Sequence, residues 1–176
     1  MRTSPATLGS TLFFAAAPGV VAGLMPWWLT GWRPRHPLLW PVPLRITGII
    51  LVTAGSLVLV NAFVRFVTEG LGTPAPIAPT EHLVVGGLYR HVRNPMYLAV
   101  ITTIAGQALV LQRGALLWYL AAATTVMVAF VHLYEQPALR ARFGTRYEQY
   151  SHAVPAWLPR LRPFHSDDHP GRPTAD

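Results

Sequence analysis

Neither cysteine nor lysine occurs among the 176 residues. Without cysteine there is no disulfide, no thiolate nucleophile and no Cys-ligated zinc, and redox compartment leaves no trace in the sequence. Without lysine all 14 basic side chains are arginine, so Schiff-base chemistry and a P-loop lysine are excluded. Charge of either sign is scarce, at 12% of residues against 52% hydrophobic. That balance is too apolar for a soluble domain of this length and fits a small integral membrane protein. The net charge of +7 forms no basic stripe. The arginines fall in segments that flank apolar runs and in the C-terminal region, a distribution that favours anionic headgroups over nucleic acid as the partner.

What is present is a series of apolar runs separated by proline- and glycine-rich breaks. Thr7–Leu29 has about the 20 residues needed to span hydrocarbon. Pro18 is expected to kink it, and Trp27, Trp28 and Trp32 suit an interfacial belt. A cleaved signal peptide is the rival reading, since Arg2 precedes an apolar run, but that run continues past any cleavage point to Leu29. Four prolines between Gly31 and Pro43 predict a loop. Leu44–Val67 predicts a second span, in which Gly48 and Gly55 share one face and would admit a close helix neighbour. Asn61 is expected to donate an interhelical hydrogen bond, and Arg65 and Glu69 to form a surface pair. Thr68–Thr80 predicts irregular chain. Met96–Leu111 and Ala115–Tyr134 predict two further spans, joined by the tight turn Gln112-Arg113-Gly114 as an antiparallel hairpin. Pro137–Val154 predicts an amphipathic helix, with Leu139, Phe143, Tyr147, Tyr150 and Val154 at helical spacing, and residues 161–176 predict a disordered tail. The expected class is thus all-α: an integral membrane bundle of about four transmembrane helices plus a C-terminal amphipathic helix. Residues 1–67 form its two-helix N-terminal region and 68–160 its core. With the N-terminus inside, ten arginines lie on the cytoplasmic side against Arg33, Arg35, Arg45 and Arg113 outside, which places both termini in the cytoplasm.

The chemistry-bearing stretch is Gly86–Tyr97, which crowds Tyr89, Arg90, His91, Arg93, Asn94 and Tyr97 into a turn-rich approach to the third span. Pro95 suits the first helical turn and Asn94 the N-cap before it. Such groups are costly at a membrane boundary unless they hold something. Two readings follow from the residues alone: a charged juxtamembrane loop, or an anion-recognising site in which arginines take a carboxylate or phosphate and a tyrosine stacks on a base. The hairpin carries His132-Leu133-Tyr134-Glu135 back to the membrane face of Arg93-Asn94-Pro95, so Glu135 would complete such a site.

Five pieces then come in order: Gly87-Leu88-Tyr89-Arg90; Arg93-Asn94-Pro95-Met96-Tyr97; Glu135-Gln136-Pro137; Phe143-Gly144 with Tyr147 and Tyr150; and Val154-Pro155 with Trp157 and Pro159. Together they resemble the isoprenylcysteine carboxyl methyltransferase and phospholipid methyltransferase superfamily in its small bacterial form, over about Gly72 to Arg160. Asn94 and Ala99 stand where that family often has His and Gly, and Gln136 where it has a second Glu. The resemblance implies S-adenosylmethionine as cofactor, held by Tyr89, Arg93, Asn94, Pro95, Tyr97 and Glu135. Arg90, His91 and His132 are added by position. It further implies Glu135 at the reacting centre, no metal, and a lipophilic or small methyl acceptor reached from the bilayer; Tyr147 and Tyr150 are assigned to the acceptor. The implied location is the bacterial inner membrane with the active site on the cytoplasmic side. Two other classes stay open at this point: an NADPH-dependent reductase related to sterol reductases, and a non-catalytic membrane scaffold.

Overall fold

The computed structural model describes residues 17–35, 40–70 and 83–164, without the side chains of 63 and 65–70. Among the described residues the chain is all helical and contains no strand. The Thr7–Ala16 part of the first apolar run, the 71–80 part of the segment predicted to be irregular, the Arg65–Glu69 pair and the tail from 165 onward lie outside that description; residues 68–70 of that segment are helical, continuing the second span.

The first helix passes from residue 17 through a π-helical turn, Val20–Leu24, into α1, Met25–Thr30. The departure from α geometry follows from Pro26 rather than Pro18. Proline lacks the N–H that would bond four residues back and its ring crowds that carbonyl, so the preceding turn widens. Met25 N–H accordingly bonds Val20 O, five residues back. The carbonyls of Val21 and Ala22 are left without their helical donors, and two neighbouring helices supply them. The Tyr119 hydroxyl donates to Val21 O at 2.7 Å and Gln107 Nε2 to Ala22 O at 2.7 Å. Trp27, Trp28 and Trp32 are exposed, as is Trp118 near the start of the fourth helix, consistent with an interfacial belt.

Helix α2, Val42–Gly70, and α3, Pro95–Leu111, form the closest pair. Gly48, Gly55 and Gly106 make the seam. A Cβ at Gly48 would lie 2.8 Å from Gly106 O, and one at Gly55 would lie 2.9 Å from Ala99 O. Backbones therefore touch directly, the close approach that small residues allow in membrane helices. Asn61 does not act as an interhelical donor here; it is exposed.

Gln112, in the left-handed region, ends α3 and reverses the chain into α4, Gly114–Phe130. The predicted hairpin is present. The hairpin turn meets the loop after α1, through Arg35 N to Leu111 O and Arg113 Nε to Arg33 O. Helix α4 does not stop at Tyr134. It runs on through a second π turn, Val131–Glu135, into α5, Gln136–Phe143. Pro137 explains this turn as Pro26 explains the first, and Gln136 N–H again reaches five residues back, to Val131 O.

The single amphipathic helix expected over 137–154 is instead two. Gly144, at φ +52° and ψ −128°, breaks it, and α6, Thr145–Ala153, turns away. That backbone state is open to glycine and closed to side-chain-bearing residues. Tyr147 and Tyr150 of α6 and Val154 just after it are buried in a small core with Leu83, Val85 and Phe143. Among the described residues two helical stretches are long and apolar enough to cross a membrane, Val42–Ala62 and Gly114–Phe143; Pro95–Leu111 is apolar but shorter.

Candidate active site

The turn before α3 is a single 3₁₀ turn, Gly87–Arg90. Beyond it the chain runs irregularly through residues 91–94 before α3 begins. Tyr89, Arg93 and Asn94 face inward with Pro95, Met96 and Tyr97 of α3. Val100 continues the α3 wall, and Met127, Glu135 and the first helix at Ala17, Pro18 and Val21 complete the lining. These residues enclose a cavity of about 190 Å³. Six of the residues expected to hold a cofactor (Tyr89, Arg93, Asn94, Pro95, Tyr97 and Glu135) are thus brought together. Glu135 arrives on the second π turn, on the same side of the fold as Arg93, as the hairpin requires.

The cavity is polar at one end. The Tyr97 hydroxyl donates to Glu135 Oε2 at 2.9 Å. Arg93 Nη1 donates to the Tyr147 hydroxyl at 3.2 Å, while its Nε is buried with no hydrogen-bond partner. A buried N–H of a charged guanidinium without an acceptor is costly, and an anion in the cavity would supply one. The remaining walls are apolar.

Asn94 does not cap α3 with its side chain. Its backbone carbonyl accepts from Leu98 N, but its amide donates to Ala156 O at 3.1 Å. That bond belongs to a strap, residues 155–164, which crosses the 90–94 turn and joins it through the backbone. Arg93 N donates to Pro155 O, Arg160 N to His91 O and Phe164 N to Arg90 O, at 2.9–3.0 Å. The residues from Arg160 to Phe164, read from sequence as the beginning of a polar tail, are held in this way.

Arg90 and His91 lie on the other side of the turn, away from the cavity lining. Arg90 Nε donates to Phe164 O at 2.6 Å and His91 Nδ1 to Arg160 O at 2.8 Å. Tyr147 and Tyr150 are 2% and 4% exposed, beneath the site rather than on its wall. Tyr147 supports Arg93, and Tyr150 donates to Tyr89 O at 2.6 Å. Burial raises the Tyr150 hydroxyl above the ordinary tyrosine value; neighbouring Arg93 pulls the other way and Tyr147 adds to the rise. His132 is exposed, bonded to Val128 O, with its ring parallel to Trp157 at 6.4 Å. Trp157 also tilts against Tyr97 at 6.4 Å.

Trp157, Met127 and Val100 were not among the residues expected at the site. Met127 lies eight residues before Glu135 and Val100 three after Tyr97, helical spacings that carry the wall of the cavity. Trp157 belongs to the last of the five ordered motifs. Nothing in the sequence marks Ala17, Pro18 and Val21 as its third side.

A family model described as Phospholipid methyltransferase matches residues 43–146, from the start of α2 to the start of α6. No curated protein matches the chain.

Proposed function

The chain belongs to the phospholipid methyltransferase family, and from that premise and the donor set of the cavity we propose that it is an S-adenosylmethionine-dependent membrane methyltransferase. Its acceptor is a carboxylate, amine or thiol on a lipophilic or small molecule. The observation that carries the reading is the pairing, on one cavity, of an arginine N–H without an acceptor and a carboxylate with acceptor capacity to spare. The site fits a methionyl group, whose carboxylate suits the Arg93 fork and whose ammonium suits Glu135. When bound, the cofactor supplies a sulfonium methyl.

The chain's own residues do the rest. Arg93, braced by Tyr147, orients the anionic end, and Asn94 and Tyr89 complete the rim next to it. Tyr97 holds Glu135 in place. An amine or thiol acceptor must shed a proton, and Glu135 is the carboxylate positioned to take it; a carboxylate acceptor has none to lose. Met96, Val100, Met127 and Val21 exclude water, so positioning supplies much of the rate. On this reading there are four transmembrane helices, the first containing α1, with the cavity at the cytoplasmic face of a bacterial inner membrane, and the bias of ten arginines against four supports that orientation.

Isothermal titration of the purified chain with S-adenosylhomocysteine and, separately, NADPH tests the proposal. Binding of S-adenosylhomocysteine that is lost in Arg93→Ala is expected. Binding of NADPH alone would overturn it.

A further inference from the structure

The outward side of the 3₁₀ turn opens onto a second cleft, of about 490 Å³, lined by Asn61, Gly87, Leu88, Arg90, His91 and Pro163. It is separate from the reaction cavity and shares no residue with it. Asn61 is the informative residue. On α2 the positions Ile50, Leu57, Asn61 and Val64 follow steps of seven, four and three, so they form one stripe. Ile50, Leu57 and Val64 are exposed by 60%, 66% and 52%, as lipid-facing residues should be. Asn61 is a lone amide in that stripe, one residue before the end of the apolar stretch Val42–Ala62. Its depth is that of the headgroups, not of the hydrocarbon. An amide there needs a polar partner.

Arg90 faces the same cleft. Its Nε is occupied by the neutral carbonyl of Phe164, and no acidic side chain among the described residues pairs with it. The guanidinium is half-buried, and among the described residues its charge has no counter-ion. His91 gives Nδ1–H to Arg160 O, which leaves Nε2 as an acceptor. A guanidinium and an amide offer donors to a phosphate, and the imidazole accepts from a hydroxyl. The apolar stripe beside them can carry an acyl chain.

We propose that this cleft binds the phosphate of an anionic phospholipid, with Arg90 and Asn61 as its ligands and the Ile50–Leu57 stripe along its acyl chain. The lipid is a resident of the cleft and takes no part in the methyl-transfer cavity.

Native mass spectrometry of the full chain in neutral detergent, titrated with dihexanoyl phosphatidylglycerol, reads the site directly. One retained lipid is expected for the wild type, with phosphatidylcholine held less tightly. Asn61→Asp puts a carboxylate where the phosphate sits, on a side chain that supports no other described residue. It should weaken retention roughly tenfold or more, and Arg90→Gln should do the same. A thermal melt of each variant separates this from misfolding, and titration of Asn61→Asp with S-adenosylhomocysteine should match the wild type. Wild-type lipid retention by a folded Asn61→Asp, or equal retention of phosphatidylcholine, would overturn the proposal. Displacement of the lipid by inorganic phosphate at equal concentration would overturn the assignment to a lipid source.

Discussion

Replacing Tyr97 by Phe removes a single oxygen from the site and leaves the ring against Trp157. The atom lost donates the one hydrogen bond, 2.9 Å long, that the Glu135 carboxylate makes among the described residues. A hydrogen bond to a charged group contributes about 1.5–3 kcal/mol. If Glu135 contacts the cofactor ammonium or takes the acceptor's proton, that energy is felt in the transition state. The expected loss in kcat/KM is then roughly ten- to 150-fold. Tyr97 is a positioning residue on this account, so the split between constants is diagnostic. With Glu135 as base the loss falls mainly on kcat; with Glu135 as an ammonium ligand it appears equally in the affinity for S-adenosylhomocysteine. Methyl transfer to lipid extract, followed by mass spectrometry, gives the first quantity and calorimetry the second. A folded Tyr97→Phe variant within twofold of wild type in both would refute the role given to the Tyr97–Glu135 pair.

Four other substitutions probe the scaffold. Gly55→Ala places a Cβ 2.5 Å from Thr103 Oγ1 and 2.9 Å from Ala99 O. It should cost about 1–3 kcal/mol of overpacking, partly offset by about 1 kcal/mol of helix propensity; Gly114→Ala, with nothing nearby, should leave the melting temperature almost unchanged. Pro137→Ala restores a donor for Leu133 O and lets the π turn relax to α geometry. Glu135 then swings out of register, and activity should fall roughly a hundredfold with no loss of thermal stability. Tyr150→Phe removes the hydroxyl that donates to Tyr89 O and should cost about 0.5–1.5 kcal/mol near neutral pH. In the wild type the raised Tyr150 value contributes stability in full below the ordinary value of 10.0, and it is lost as pH rises from there through the folded value. Alkaline melts should therefore decline above that pH in the wild type and less steeply in the variant.

The seam and the hairpin were legible in the sequence because each is written in local chemistry. Gly48 and Gly55 mark where a backbone can approach, and Gln112-Arg113-Gly114 leaves room only for an immediate return. From the hairpin alone it followed that Glu135 returns to the side of Arg93, and both line the same cavity. The π turns were also marked, by Pro26 and Pro137, but a proline inside an apolar run reads equally as a kink. Only the neighbours that fill the vacated carbonyls, Gln107 and Tyr119, decide the outcome. The strap was hidden for a different reason. On the strap's side its bonds to His91, Arg90, Arg93 and Asn94 all use backbone atoms, which every residue carries, so no strap side chain announces them. The same strap takes the Asn94 amide away from the helix end, where local rules would place it. Arg90 and Arg93 are three apart, a spacing that a regular helical turn would put on one side; the chain leaves the 3₁₀ turn at Arg90 and runs irregularly through 91–94, and this separates them. Tyr147 and Tyr150 show the reverse case: a polar, aromatic pattern on an amphipathic helix was assigned to the acceptor, whereas burial puts both tyrosines beneath Arg93 and Tyr89.

Incubating the purified chain with methyl-labelled S-adenosylmethionine and lipid extract, then counting label in the lipid fraction, tests the joint action of Arg93 and Glu135 most directly. Label should enter the lipid with the wild type and fall to background with folded Arg93→Ala and Glu135→Ala. Undiminished labelling by both variants would contradict the site described here.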